Sequence, residues 1–186
     1  MTIILLLIAI IVVVAFLLVI VFNRFAKNRN VVKDAWSNID VALKRRYDLI
    51  PNLVETVKGY AAHEKTTFES VINARNAAMA VPSDDINAKI KAENQLQQTL
   101  RSIFALSEAY PDLKANASFL DLQQKLNEIE ENLERSRRYY NGTVRENNTY
   151  GESMPGVLFA GMFGYKHFDY FEVEAAEREN VKVSFE

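Results

Sequence analysis

The chain has no cysteine, only 6 glycines and 4 prolines in 186 residues, and no excess of charge of either sign, with 22 Lys+Arg against 24 Asp+Glu. Without cysteine there is no disulfide framework, no thiolate metal site, no thiol nucleophile and no lipid-modified cysteine. Any attachment to a membrane has to be made by the polypeptide itself. The scarcity of glycine and proline suits long uninterrupted helices and opposes a turn-rich all-β domain. The balanced charge gives no electrostatic footprint for nucleic acid. The length allows one short membrane segment and one domain of ordinary size, not a two-domain enzyme.

Histidine is also scarce, with two in the chain. His63-Glu64 opens the string HEKTT, which resembles the start of a zinc-protease helix, but the second histidine of that motif would have to stand at Thr67. Neither His63 nor His167 has a glutamate three residues before it, so the paired Glu-x-x-His ligands of a di-iron bundle are missing. Neither Gly59 nor Gly142 belongs to a phosphate-cradling glycine cluster. The expectation is a protein with no catalytic residues, no metal and no cofactor.

What is present begins with IILLLIAIIVVVAFLLVIVF from Ile3 to Phe22, a run with no charged or hydrogen-bonding side chain. Ile3, Leu7, Ile11, Phe16 and Phe22 mark its length. About 20 residues at about 1.5 Å rise span a hydrocarbon core of about 30 Å. A buried helix apolar on every face would need a much larger protein around it. A cleaved signal peptide is opposed by the absence of a basic residue before the run, by its length, and by the lack of a small-x-small site after it. Arg24, Lys27, Arg29 and Lys33 all follow the run, and basic flanks are retained on the cytoplasmic side. The reading is a single-pass protein of the cell membrane, with residues 1–2 outside, a transmembrane helix at 3–22, a helical domain at 23–165 in the cytoplasm, and an exposed tail at 166–186.

Beyond the run, apolar residues recur at helical spacing: Val32, Trp36, Ile39, Leu43, Leu53, Val54, Val57, Tyr60, Ala61, Phe68, Val71 and Ile72. This predicts one long helix with a kink or restart near Asp48–Pro51, where proline withdraws a donor. Val81-Pro82-Ser83-Asp84 supplies a stop and a new cap. A second helix is expected from about Asp85 to Ala109, with Ile86, Ile90, Leu96, Leu100, Ile103 and Phe104 inward, ending at Tyr110-Pro111. A third opens at Ser118, with Asp121 in capping-box spacing, and its series Phe119, Leu122, Leu126, Ile129, Leu133, Ser136, Tyr140 is the seam of antiparallel packing. The fold class is all-α, a helix bundle in preference to a coiled coil, with self-association through a leftover face left open.

After Asn141-Gly142 the pattern weakens. VLFAGMFGYKHFDYF, following Met154-Pro155-Gly156, is read either as a short helix or strap closing one end of the bundle, or as a surface for a partner or a lipid headgroup. The charged stretch EVEAAERENVKVSFE reads as exposed and partly disordered. Arg46, Glu64, Arg75 and Glu108 fall near apolar stripes. Either their long side chains reach out into water, or they form an interhelical ion-pair network such as Arg75 with Glu108. Lys44-Arg45-Arg46 is read as a solvated face in preference to a lipid-facing one.

Four stretches carry a resemblance: AWSNIDVALKRRYDLIPNLVETVKGYAAHE from Ala35 to Glu64, the pair Ala74-Arg75, EAYPDLKAN from Glu108 to Asn116, and RRYYNGTV from Arg137 to Val144. Together they resemble the LemA family of bacterial membrane proteins. The resemblance implies one N-terminal membrane helix, a short external N-terminus and a cytoplasmic up-and-down four-helix bundle. It implies no enzymatic activity and leaves the biochemical role open, with a divergent branch associated with building magnetosome membranes. The motif residues it carries onto this chain are Trp36, Asp40, Arg45, Arg46, Asp48, Pro51, His63, Glu64, Arg75, Glu108, Tyr110, Pro111, Tyr139, Tyr140 and Asn141, with no role assigned.

Three functional expectations follow. The first is a non-enzymatic scaffold on the lipid bilayer that self-assembles as a homo-oligomer, recruits other membrane proteins or shapes the membrane. The second is a ligand-binding adaptor, its ligand unknown, with a pocket around His63, Glu64, Arg75 and Glu108. The third is an enzyme dependent on His63 and Glu64.

Overall fold

The computed structural model describes residues 1–171, and among them there are helices and connecting turns but no strand. Helix α1 spans Thr2–Lys58, α2 Lys65–Ala80, α3 Ile86–Ala109, α4 Pro111–Lys114, α5 Ala117–Glu152 and α6 Gly156–Phe159. The all-α class read from the sequence is the observed one. The chain divides into two compact units, one made of Met1–Asn38 with Ser136–Tyr170, the other containing Ile39–Arg135. Helices α1 and α5 contribute residues to both.

In the first unit, α1 carries the apolar run, exposed along nearly all of its length. Past it the helix becomes amphipathic, and Phe25, Val32, Ala35 and Trp36 are buried at helical spacing. The partner is the C-terminal part of α5. Trp36 packs on Tyr140 with centroids 5.4 Å apart, and Phe25 packs edge-on against Tyr150 at 4.9 Å, so the two helices run antiparallel. Contrary to the weakening pattern, α5 continues through Asn141-Gly142 to Glu152. A Cβ at Gly142 would meet nothing within 4 Å. Val144, Asn147, Asn148 and Gly151 keep the buried stripe going, so side-chain packing overrides poor helix propensity.

In the second unit, the rest of α1, α2, α3 and the first part of α5 bury Ile39, Leu43, Leu53, Val57, Phe68, Val71, Leu96, Ile103, Phe119, Leu126 and Leu133. Tyr60 and Ile72, expected inward, are exposed and half-buried respectively. The proposed single helix from Val32 to Ile72 is two helices, since α1 stops at Lys58 before Gly59 and α2 starts at Lys65. There is no restart at Pro51, however, and α1 is continuous through it. The reason is on a neighbouring helix. Proline leaves the carbonyl four residues earlier, Tyr47, without its donor. Arg75 Nε on α2 donates to that carbonyl at 2.7 Å.

The caps differ in detail from the sequence reading. Asp85 is the cap of α3, accepting from Ala88 N at 3.0 Å. For α5 the cap is Asn116, not Ser118: its Oδ1 accepts from Phe119 N at 3.0 Å, while its Nδ2 donates to the Tyr60 hydroxyl at 2.8 Å. Asp121 instead pairs with Lys125 at 2.7 Å. The tail expectation for 172–186 lies outside the described residues.

Candidate functional site

The second unit holds a buried ion cluster. Arg46 and Tyr47 sit next to each other on the inner side of α1, while Lys89 and Glu93, one turn apart on α3, face the core among Leu96, Leu100 and Ile103. Glu93 is 1% exposed, Lys89 3% and Arg46 5%. Arg46 Nη1 lies 3.5 Å from Glu93 Oε2 and 3.3 Å from Glu130 Oε2 on α5. The Tyr47 hydroxyl donates to the other Glu93 oxygen. Burial first, then the Glu93 charge and this hydrogen bond, push the Tyr47 hydroxyl far above its ordinary range, so it stays a donor. Lys89 Nζ donates to the carbonyls of Ala78 and Val81 at 3.1 and 3.3 Å, closing the C-terminal end of α2. It also lies 5.7 Å from the Tyr47 ring centroid.

Two openings flank this cluster within the same unit. A cleft of about 130 Å³ is lined by Arg46, Gln97, Leu100, Arg101, Phe104, Leu126, Asn127 and Glu130. A shallow groove of about 410 Å³ has Ala42, Leu49 and Ile129 as its floor and Arg45, Asp48, Lys125 and Glu128 along its edges. The groove thus presents two charges of each sign.

The first unit is held by amides and rings. Asn148 on α5 grips one residue of the returning chain from both sides: its Nδ2 donates to the Phe168 carbonyl at 2.8 Å, and its Oδ1 accepts from Phe168 N at 3.1 Å. Asn147 Nδ2 reaches the Lys166 carbonyl at 3.4 Å, and the Tyr140 hydroxyl donates to the Asp169 carbonyl at 3.0 Å. Burial, with a smaller contribution from Asp169, pushes the Tyr140 hydroxyl up to about 12. Two glycines permit the approach. A Cβ at Gly151 would fall 2.3 Å from the Tyr165 ring, and one at Gly156 would fall 2.0 Å from the Tyr150 carbonyl oxygen. Residues 153–169 therefore form a strap fixed along α5, and residues 166–169, assigned to a free tail by the sequence, belong to it.

The residues singled out from the sequence are distributed as follows. Ile3, Leu7, Ile11 and Phe16 are exposed, and Phe22 is half exposed with its ring edge-on to Phe163 at 5.3 Å. Arg24 pairs with Glu146 at 2.6 Å, while Lys27, Arg29 and Lys33 are exposed. Trp36 and Tyr140 are buried together, Tyr139 is exposed and Asn141 half-buried. Asp40 accepts from Ser83 at 3.2 Å. Tyr110 and Pro111 link α3 to α4, with proline in the first turn of α4. His63 is exposed in the turn between α1 and α2, and Glu64 is the residue before α2, so HEKTT does not begin on a helix.

The ion pair suggested for Arg75 and Glu108 is not formed: Arg75 serves the Tyr47 carbonyl and Asn76, and Glu108 pairs with Lys114 at 2.7 Å. His63, Glu64, Arg75 and Glu108 line neither opening described above. The network is real but is built on Arg46 with Glu93 and Glu130. Glu93 and Lys89 escaped the sequence reading because the inward series of α3 was followed through its apolar members only. The signal was the vacant inward slot between Ile90 and Leu96, which Glu93 fills. Among the described residues there is no group of three or more acidic or histidine side chains arranged to hold a metal ion.

Geometry thus defines an all-α protein whose first helix is long and apolar enough to cross a membrane and, further along, joins α3 and α5 around a buried ion cluster. The LemA family profile matches residues 35–185, most of the chain, and the chain belongs to the LemA family. Protein LemA of Metamycoplasma hominis is 25% identical over 119 residues, which is 64% of this chain and 54% of that protein, so the chain spans about half the length of this relative.

Proposed function

We propose that this protein is a non-catalytic, membrane-anchored scaffold that gathers copies of itself or other membrane proteins at the bilayer surface. The observation that carries the reading is the apolar run of α1, 3–22, whose side chains from Ile3 to Leu17 all stand exposed around the helix, protein packing beginning only at its end with Val21 and Phe22. About 20 such residues are costly in water and match the hydrocarbon thickness. Arg24, Lys27, Arg29 and Lys33 follow the run and favour a cytoplasmic position for the rest of the chain. The groove edged by Arg45, Asp48, Lys125 and Glu128 supports a docking role, since its two charges of each sign suit a helix of matching pattern.

The test is photo-crosslinking in intact membranes from a probe at Asp48, followed by purification in mild detergent and imaging of the assembly. Crosslinked partners or oligomers are expected. A strictly monomeric, partner-free species would overturn the scaffold. A reporter fused after Glu186 that is active only outside the cytoplasm would overturn the orientation.

The cleft beside Arg46 favours a second reading, an adaptor that binds a small anion between helices. Arg101 supplies a guanidinium group there beside the Arg46–Glu130 pair, and Leu100 and Phe104 supply apolar wall. Under it, a panel of small carboxylates should contain one that raises the melting temperature saturably, and raises it less in Arg101→Ala. A panel without any shift ends that reading.

A further inference from the structure

The apolar run ends at Phe22, yet apolar exposure does not end there. On the strap, Met154 is 71% exposed, Leu158 64% and Met162 72%, with Val157 at 47%. A water-soluble surface seldom gathers four such side chains within nine residues of sequence without a use. Their height along α1 is fixed by contacts inside the first unit. The Phe163 ring, next to Met162, packs edge-on against Phe22 at 5.3 Å and lies 6.2 Å from the Phe25 ring. Phe159, next to Leu158, lies 6.1 Å from Phe163. The inward rings of the strap therefore rest on the last turn of the apolar run, while its other apolar side chains face away from the protein.

We infer that the first part of the strap, residues 154–163, is a second membrane contact: a monotopic element lying in the bilayer interface beside the transmembrane helix. This rests on the anchoring reading above. Phe22 and Phe25 are about 4.5 Å apart along the helix axis. The headgroup layer on one side of a bilayer is roughly 5–8 Å deep. Whatever touches both rings is in or against that layer if the run fills the hydrocarbon.

The chemistry of the strap suits the position. Its backbone is not free to project apolar groups unsupported, because Gly156 lies against the Tyr150 carbonyl and the Tyr165 ring lies against Gly151. Arg29 and Lys166 join Phe22 and Phe163 around a small hollow of about 50 Å³. That places cations next to the rings, where anionic headgroups would sit. Burial of the exposed methionine, leucine and valine side chains in acyl chains removes the apolar exposure without any protein partner.

The absence of native cysteine makes the test direct. Single variants Leu158→Cys, Met162→Cys, Val13→Cys and Asp112→Cys of the full chain, each carrying an environment-sensitive fluorophore, are reconstituted in vesicles of phosphatidylcholine and phosphatidylglycerol. Some of the lipids carry nitroxide quenchers at known depths. The expected result is deep quenching at position 13, shallow quenching at 158 and 162 from nitroxides near the headgroup, about 5–10 Å below the surface, and none at 112. Quenching at 13 with none at 158 and 162 overturns the strap as a membrane element while leaving the anchor standing. No quenching at 13 overturns the anchor and this inference with it. Quenching at 158 and 162 equal to that at 112 likewise ends the proposal, because the label then reports collisions alone.

Discussion

The two units solve the problem of buried polarity in opposite ways. The second unit buries ions: Arg46, Lys89 and Glu93 are each at most 5% exposed, and their charges are met by one another, by Glu130 or by helix-end carbonyls. The first unit buries one cation, Arg137, and otherwise amides and rings: Asn147 and Asn148 are 2% and 3% exposed and bond to the backbone of the strap. Ions in a core are costly to desolvate and severe to mismatch, so they fix which helix faces which. Amides bonded to backbone are less severe when lost and suit a segment laid along a helix. The contrast teaches where this chain spends specificity and where it spends adhesion.

The contrast is broken most forcefully at Glu93. Glu93→Leu removes the acceptor of the Tyr47 hydroxyl and leaves Arg46 with the part-exposed Glu130 alone, and should cost about 3 kcal/mol, read as a fall in the urea midpoint of helical signal. The double variant Arg46→Met with Glu93→Leu should recover the part due to the Arg46 charge, leaving the part due to the Tyr47 hydroxyl. If it does not, the ions matter for more than mutual compensation. In the first unit the strongest change is Gly156→Ala, whose Cβ would meet the Tyr150 carbonyl and should loosen the strap by about 1–3 kcal/mol. Faster hydrogen exchange at Tyr165 N and Phe168 N would report it. Gly142→Ala, with open space around the new methyl group, should instead stabilise α5 by up to about 1 kcal/mol.

A third measurement sharpens the comparison by asking how a single carbonyl is served. Arg75→Leu should cost about 1–3 kcal/mol, since it leaves the Tyr47 carbonyl without a donor. In a Pro51→Ala background, where the residue 51 amide can make that bond itself, the cost should shrink by about 1 kcal/mol. Equal costs in both backgrounds would show that Arg75 acts otherwise.

The smallest effect is alkaline. The native hydroxyls of Tyr47 and Tyr140 titrate above the unfolded value of about 10, so the folded chain holds protons that the unfolded chain has lost. Stability is full below about pH 10 and falls as pH rises toward 12, by less than about 1 kcal/mol per tyrosine at pH 10.5. Tyr140→Phe should remove the part due to the first unit, and Tyr47→Phe the part due to the second.

Helix α3 was legible to within a residue, because Asp85 and Tyr110-Pro111 punctuate its stripe at both ends. Pro51 brings no restart, because the compensation for its missing N–H comes from Arg75 on another helix, and one sequence does not display which side chain arrives there. The break at Gly59 was missed because apolar residues continue at helical spacing on both sides of it. The site was half legible. Arg46 stood out as a charge on an apolar stripe, but its partners Glu93 and Glu130 are 47 and 84 positions away in sequence, a distance that periodicity does not cross. Asn147 and Asn148 look like helix breakers, and only the strap lying against them explains their burial.

The segment from Asn141 to Glu152, NGTVRENNTYGE, is composed mostly of poor helix formers, yet it is the last part of α5. Its helicity is borrowed from Trp36, Phe25 and the strap that Asn148 and Gly151 receive. A free peptide of this sequence would be coil in water. The end of α5 is therefore conditional structure: where the strap lets go, the helix shortens toward Asn141, and the length of a helix becomes a readout of what the strap rests on.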